Sequence, residues 1–353
     1  MFARLLLLTV ALQGLLLHGR AQEISIERVE GQPRFAIEDS AVTDLSGLAW
    51  TDRNQFYAVA DHPPLLVPVT LEIDRATGGI TRGELGRAVP IKSTVSDFEG
   101  IAYVAARKTF YISGESGSGV IRYPLGGAAQ PLPVPRIFSQ ARKNLRLESI
   151  TWNDVAAHFW IANEEALLPD GELSGAEGTL VRFQQLDDKF RPVAQFAWRT
   201  EPAGFRFRNS GNGVSDLCLL PDGRLLVLER GFAFGGLRVR LFLADFTGAT
   251  DITQVPSLAA AEFVPARKTL VFEEITGFTN FEGIALGPTL DDGSRSLVLI
   301  ADSNGGSSHA FLPLKIRLGA RAASRDSDRK APETRPLNPE RPSRANRPFP
   351  PEE

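Results

Sequence analysis

Three glutamates stand at the start of predicted core strands, where a carboxylate is energetically costly. Glu99 in DFEGIAY (97–103), Glu148 in RLESITW (146–152) and Glu282 in NFEGIAL (280–286) each precede residues that suit a buried strand. A buried, unpaired carboxylate is strongly unfavourable unless it is protonated, paired with a cation or bound to a metal. The repeated placement therefore points to a shared chemical role for these glutamates.

These glutamates belong to five similar segments that start 53, 49, 67 and 67 residues apart. The segments are LSGLAW (45–50), FEGIAY (98–103), LESITW (147–152), VSDLCL (214–219) and FEGIAL (281–286). After a turn, each is followed by a second apolar strand, and these strands are FYAVAD (56–61), TFYISGE (109–115), FWIANE (159–164), LLVLER (225–230) and LVLIAD (297–302). Third strands follow, and most units have a fourth, such as PVAQFAWR (192–199) and KTLVFEE (268–274).

Four-stranded antiparallel units of this length are typical of β-propeller blades, so the sequence predicts an all-β, five-bladed propeller. The last unit has no room for a fourth strand, and ISIERV (24–29) or RFAI (34–37) is expected to supply it and close the ring. A sixth blade remains open if the spacer between 230 and 281 hides a degenerate one. A two-sheet sandwich with accidental internal similarity is the other alternative.

The hairpin turns predict which residues face each other. Opposite residues of an antiparallel pair have numbers with a constant sum, so Glu99 with Glu115 and Glu148 with Glu164 centre on turns at 107 and 156. The same reasoning in every unit predicts ten positions at one end of the channel, eight of them acidic. They are Ser46, Asp61, Glu99, Glu115, Glu148, Glu164, Ser215, Glu229, Glu282 and Asp302.

Such a ring of carboxylates needs a counter-charge, because like charges repel strongly at low dielectric. A hard divalent cation is expected, and Ca²⁺ fits best since it accepts six to eight oxygen ligands. The predicted metal ligands are Glu99, Glu148, Glu282, Glu229, Asp61 and Asp302. Protonation through raised pKa values and pairing with nearby arginines are the other remedies. Zn²⁺ is disfavoured, because histidines are few and Cys218 is the only cysteine, in an apolar strand that predicts a buried, inert thiol.

The ends of the chain differ from the propeller region. Arg4, the apolar run at 5–17 and the small residues at 19–21 predict a signal peptide over 1–21, and hence a protein exported to the periplasm or beyond. Residues 22–318 are assigned to the propeller, and no stretch of the mature chain is apolar enough to span a membrane. The segment 319–353 is rich in proline and arginine and predicts a disordered tail. A net charge of −3 with interspersed signs argues against nucleic-acid binding, and a monomer is favoured.

Two long stretches, GNGVSDLCLLPDGRLLVLERG (211–231) and NFEGIALGPTLDDGSRSLVLIADSN (280–304), resemble the esterase-like activity of phytase family. The resemblance extends over roughly 40–318 and implies an exported propeller that hydrolyses ester or phosphate-ester bonds. The glutamate before glycine also resembles the metal-binding motif of calcium-dependent lactonase propellers. That likeness implies Glu99 and Glu282, then Glu148, as metal ligands, whereas Ser46 and Ser215 depart from the motif.

Two functions remain open at this point. The first is a metal-dependent hydrolase of a small ester or phosphate ester, with Glu115 or Glu164 as the base for water, and with His62 and His309 as further candidate bases at the channel mouth. The second is a non-catalytic exported propeller that binds a ligand or a protein partner, with a purely structural ion. Fold alone cannot separate them, because propellers carry many functions.

Overall fold

The protein is a five-bladed β-propeller, as predicted. The computed structural model describes residues 24–117, 119–204 and 211–319, and the predicted signal peptide lies outside them, as does the predicted tail apart from Gly319. Five antiparallel sheets succeed one another along the chain. Within the described part, no helix is long and apolar enough to cross a membrane.

Each blade runs from an innermost strand to an outer edge strand. Blade 1 consists of Leu45–Asp52, Gln55–Ala60, Leu65–Ile73 and Ile80–Leu85, with Val89–Pro90 added beside the third strand. Blade 2 consists of Ser96–Val104, Thr109–Ser116, Gly119–Pro124 and Gln130–Leu132. Blade 3 consists of Leu147–Asn153, His158–Asn163, Leu180–Asp187 and Pro192–Arg199. Blade 4 consists of Asn212–Leu219, Leu225–Ala233, Gly236–Asp245 and Arg267–Gly277.

Blade 5 takes its outer strands from the other end of the chain. Its own strands are Asn280–Thr289, Arg295–Asp302 and Ser308–Arg317, and both Ser25–Arg28 and Phe35–Glu38 pair with the last of them. The predicted closure of the ring by the N-terminal segment is thus confirmed. The spacer from 230 to 281 holds the third and fourth strands of blade 4, so the six-bladed alternative is wrong.

Hydrophobic packing joins each blade to the next. The described residues form a separate apolar cluster at each of the five blade interfaces; Phe56 and Phe311, for example, pack together between blades 1 and 5. Cys218 is buried between blades 4 and 5, as predicted, and burial raises the pKa of its thiol to about 12. Short 3₁₀ helices at Ala105–Arg107, Arg136–Gln140 and Leu168–Asp170 are the only helices in the described residues.

The innermost strands contact their neighbours all the way around the channel. Glycine after the glutamate permits this approach in blades 2 and 5. A Cβ on Gly100 would lie 2.7 Å from the carbonyl oxygen of Glu148, and one on Gly283 would lie 2.5 Å from that of Ser46. The glutamate–glycine pair therefore combines two roles, a carboxyl group for the channel and room for the next blade.

Candidate active site at the channel mouth

A β-bulge marks the head of the innermost strand in every blade. The register between the first two strands shifts across five positions, which are Ser46, Glu99, Glu148, Ser215 and Glu282. A bulge leaves a residue outside the hydrogen-bonded ladder and redirects its side chain. The repeated bulge explains how carboxyl groups at the start of buried strands can turn into the channel.

A cavity of about 570 Å³ lies at this mouth of the channel, and carboxyl groups dominate its wall. Seven acids line it: Asp61, Glu99, Glu115, Glu148, Glu164, Glu282 and Asp302. The cations that line it are Lys143 and Arg230. The structure therefore brings together seven of the eight acids that the repeats placed at one mouth.

Burial and mutual repulsion perturb these carboxyl groups. Burial raises the pKa of Glu99 well above its usual range, and the nearby Glu282 and Glu115 raise it further. The pKa of Glu148 is raised in the same way, first by burial and then by Glu99 and Glu164. Each group disfavours the charged form of its neighbours, which is the behaviour of carboxyl groups that share one site.

The pKa values of four further acids of the ring are also raised, and these are Glu115, Glu164, Glu282 and Asp302. Burial raises the pKa of Glu164 to about 8 and that of Asp302 to about 7. It also raises the pKa of Glu115, against the main-chain N–H of Arg146, which donates a 2.7 Å hydrogen bond to Glu115 Oε1. Without an added counter-charge, part of the ring therefore holds protons at neutral pH.

Arg230 is the counter-charge that the fold itself supplies. Its Nη2 lies 3.2 Å from Glu164 Oε1 and 3.2 Å from Glu282 Oε1, and its Nε donates a 3.2 Å hydrogen bond to Ser215 Oγ. Burial opposes the charge of the guanidinium, but the surrounding carboxylates outweigh it and raise the Arg230 pKa. One guanidinium thus bridges blades 3, 4 and 5 in the wall of the acidic cavity.

Arg230 occupies the place predicted for Glu229. Because the bulge at Ser215 shifts the register by one, Glu229 pairs with Val214 and Arg230 with Gly213. Arg230 is therefore the blade 4 equivalent of Glu164, the residue that ends the second strand of blade 3. An alignment of the five second strands would have revealed this position, since LLVLER ends in arginine where the other four strands end in an acid.

Glu229 instead anchors the interior of blade 4. Its carboxylate is fully buried and accepts hydrogen bonds from Trp198 Nε1 at 2.8 Å, Asn212 Nδ2 at 2.8 Å and the main chain of Glu201 at 2.9 Å. Lys268 Nζ completes the set at 3.0 Å. With its oxygens so engaged, Glu229 does not line the cavity, which corrects its predicted place among the metal ligands.

His62 lies at the rim of the cavity and is mostly exposed. Its Nδ1 is 3.2 Å from Asp61 Oδ2 and 3.4 Å from Asp97 Oδ1, and the hydrogen bond with Asp61 raises the His62 pKa. Within the described residues, these three side chains are the one group whose potential ligand atoms all lie within 4.8 Å. A possible carboxylate–histidine site therefore exists at the rim, where Asp61 joins it to the acidic cavity.

His309 does not reach the mouth. It lies fully buried in the third strand of blade 5, opposite Ile37 in the added strand Phe35–Glu38, and its Nε2 is 3.2 Å from the carbonyl oxygen of Asp39. The N-terminal strand covers it, which corrects the expectation of a base at the channel mouth. Asp97, Lys143 and Asn144 were not predicted as site residues, and the two from the loop before blade 3 lie outside the repeat pattern.

The fold and the cavity define a class of protein, a five-bladed propeller with carboxyl groups from its blades gathered at one end of the channel. Within that class, the chain belongs to the Phytase-like family, described as esterase-like activity of phytase, whose sequence model matches residues 40–305. The family resemblance predicted from the two long stretches is confirmed. A comparison with curated proteins found no match.

The solved structures to which this chain is similar have very different sequences. The PQQ-bound aldose sugar dehydrogenase from Streptomyces coelicolor is 13% identical, with 84% of this chain and 99% of that chain covered and a TM-score of 0.44. Virginiamycin B lyase from Staphylococcus aureus is 9% identical, with 84% and 100% covered and a TM-score of 0.39. A DUF4221 family member from Bacteroides vulgatus is 8% identical, with 84% and 99% covered and a TM-score of 0.40.

Proposed function

We propose that this protein is an exported, metal-dependent hydrolase of ester or phosphate-ester bonds, with a divalent cation held by carboxylates at the mouth of the channel. The observation that carries the proposal is the cavity wall, where seven carboxyl groups face two cations. Membership of the Phytase-like family supports the hydrolase class. Export is proposed from the N-terminal charge and apolar run.

The donor set fits a hard cation. No histidine or cysteine is among the described residues that line the cavity, and oxygen donors in this number match Ca²⁺, which accepts six to eight of them. Glu99, Glu148 and Glu282 would hold the ion from the bulges, with Asp61 and Asp302 at the strand ends. These carboxylates stand farther apart than the rim group at Asp61, so side-chain rotation or bound water would complete the coordination.

When bound, a divalent cation polarises a carbonyl or phosphoryl oxygen and stabilises the charge that develops on it. The protein would supply the remaining functions. Arg230 and Lys143 line the same cavity and can pair with an anionic substrate oxygen. Glu115 suits the role of base for water better than Glu164 does, because Glu164 already contacts Arg230 while Glu115 Oε1 is oriented by a main-chain N–H.

The experiment is an activity assay on purified mature protein that EDTA has freed of metal. We expect hydrolysis of p-nitrophenyl acetate or p-nitrophenyl phosphate that returns with Ca²⁺ and is lost in Glu99→Gln and Glu282→Gln. The loss should reach about 100-fold, since even outer-shell partners of metal sites are worth about 10- to 100-fold. The matched control is Glu84→Gln, an exposed position on the outer strand of blade 1, which should keep full activity.

Two results would speak against the hydrolase. Turnover that survives in the double variant Glu99→Gln/Glu282→Gln would show that the carboxylate ring takes no part in the reaction. A melting temperature that rises with Ca²⁺, without turnover of any ester or phosphate ester, would favour a binding propeller whose ion is structural.

A further inference from the structure

An apolar cavity of about 850 Å³ lies beside the acidic one. Phe234, Phe278 and Leu237 contribute to its wall, and Arg230 lines both cavities. The two cavities therefore adjoin at Arg230, the side chain that contacts Glu164 and Glu282.

Two turns carry the aromatic rings. Phe234 lies in the turn between Leu225–Ala233 and Gly236–Asp245, and Phe278 lies in the turn between Arg267–Gly277 and Asn280–Thr289. The turns lie at the same end of a strand pair, because Leu237 pairs with Gly277 and a Cβ on Gly236 would clash with the carbonyl oxygen of Gly277. Gly236, with φ +132°, and Gly277, with φ +66°, adopt backbone conformations that suit glycine. The two rings are thus presented from one joined backbone platform.

Both rings are unusually exposed for phenylalanine. Phe234 is 96% exposed and Phe278 is 86% exposed, more than any other large apolar side chain in the described residues. Exposed aromatic rings that line a concave wall beside a reactive centre are typical of ligand sites, where apolar walls supply affinity and a few polar groups fix orientation. Here the polar groups are Arg230 and Asn280, whose Nδ2 donates a 2.7 Å hydrogen bond to Glu282 Oε1.

We propose that this apolar cavity binds the aromatic part of the substrate whose ester group lies at the carboxylate ring. The substrate class is then an aryl ester or aryl phosphate ester, in preference to small aliphatic or polyhydroxylated esters. Flat rings match the walls that Phe234 and Phe278 provide, since aromatic pairs gain from stacked or edge-to-face contacts beyond their buried area. This inference rests on the proposed function, because the acidic cavity must hold the reacting bond.

The test compares two substrates and one ligand that is not cleaved. Wild type, Phe234→Ala, Phe278→Ala and the double variant are assayed with Ca²⁺ on 2-naphthyl acetate and on ethyl acetate. We expect each single substitution to lower kcat/KM for the naphthyl ester about tenfold and to leave the ethyl ester unchanged. Leu168→Ala removes an exposed apolar side chain elsewhere and should change neither value.

A binding measurement tests the aromatic site independently of the proposed hydrolase activity. Isothermal titration with 1-naphthylphosphonate, with methylphosphonate as the control ligand, should show naphthyl binding that weakens about tenfold in each phenylalanine variant. If no ester is turned over but this pattern holds, the hydrolase fails and the aromatic site stands. Equal losses on both esters, or naphthylphosphonate affinity that is absent or unaffected by the substitutions, would overturn the aromatic site.

Discussion

Arg230→Met should destabilise the metal-free protein, and more so at high pH. The substitution puts an unbranched apolar side chain in place of arginine and so removes the guanidinium that contacts Glu164 and Glu282. All three side chains are largely buried, at 14%, 12% and 16% exposed, so solvent screens these contacts little. The result is a cluster of carboxyl groups that has lost its central counter-charge.

The distances set the size of the effect. At 3.2 Å, opposite unit charges attract by about 5 kcal/mol when the effective dielectric constant is about 20. The freed carboxyl groups can recover part of this by binding protons, and removal of one member of a buried ion pair costs about 3–5 kcal/mol in practice. We expect about 3 kcal/mol at pH 9, which corresponds to a fall of roughly 5 °C in Tm for a domain of about 300 residues.

The pH dependence follows from the raised pKa of Glu164, about 8 in the folded protein. At pH 6 this carboxyl group is protonated and gains little from Arg230, so the difference in Tm should shrink to about half or less. Arg267→Met is the control, because Arg267 pairs with Asp245 at the surface, with side chains 67% and 46% exposed. Such pairs contribute about 0–1 kcal/mol, so the control should lose at most about 2 °C at either pH.

The assay is thermal unfolding of EDTA-treated wild type and variants at pH 6 and pH 9. Added Ca²⁺ should reduce the loss in Arg230→Met, because the ion replaces the missing positive charge. A loss at pH 9 no larger than that of the Arg267 control, or a larger loss at pH 6 than at pH 9, would refute Arg230 as the counter-charge of the ring.

Three further predictions concern stability. The Tm of the metal-free wild type should fall between pH 6 and pH 9. In the folded protein the pKa is about 8 for Glu164 and about 7 for Asp302, both above the values in the unfolded chain, so the stability these groups contribute is lost as the pH rises through their folded pKa values. A Tm that stays constant or rises would contradict this. Gly100→Ala should cost about 1–3 kcal/mol in urea unfolding, since its Cβ would lie 2.7 Å from a carbonyl oxygen of the next blade, and unchanged stability would show that the blades need no glycine there. Glu229→Gln should lower Tm, because Lys268 loses a buried charged partner at 3.0 Å, and it should leave calcium affinity unchanged. A loss of calcium affinity with no change in stability would show that Glu229 is a metal ligand after all.

Much of the fold was predictable because the repeat unit is encoded locally. Short apolar strands alternate with turn sequences such as PDG at 221–223, so strand pairing inside a blade follows from neighbouring residues. The closing strand was also predictable, since the last blade lacked an outer strand and the N-terminal segment supplied a suitable one. The place of the acids at one mouth then followed from hairpin geometry.

The details of the site depended on features that hairpin geometry does not reveal. A bulge shifts the register by one residue, and in blade 4 that shift exchanges Glu229 for Arg230, reversing the charge at the position. His309 is covered by the distant strand Phe35–Glu38, and Lys143 comes from a loop outside the repeat. The first error comes from a local irregularity in the strand pairing, and the other two come from segments that lie outside the repeat.

The central claim is that the carboxylate ring holds a divalent cation, and calcium titration tests it most directly. Isothermal titration of Ca²⁺ into EDTA-treated wild type at pH 7.5 should show saturable binding, with Glu84→Gln unchanged. The double variant Glu99→Gln/Glu282→Gln should bind about 100-fold more weakly or not at all. No saturable binding in wild type, or equal affinity in the double variant, would contradict the claim.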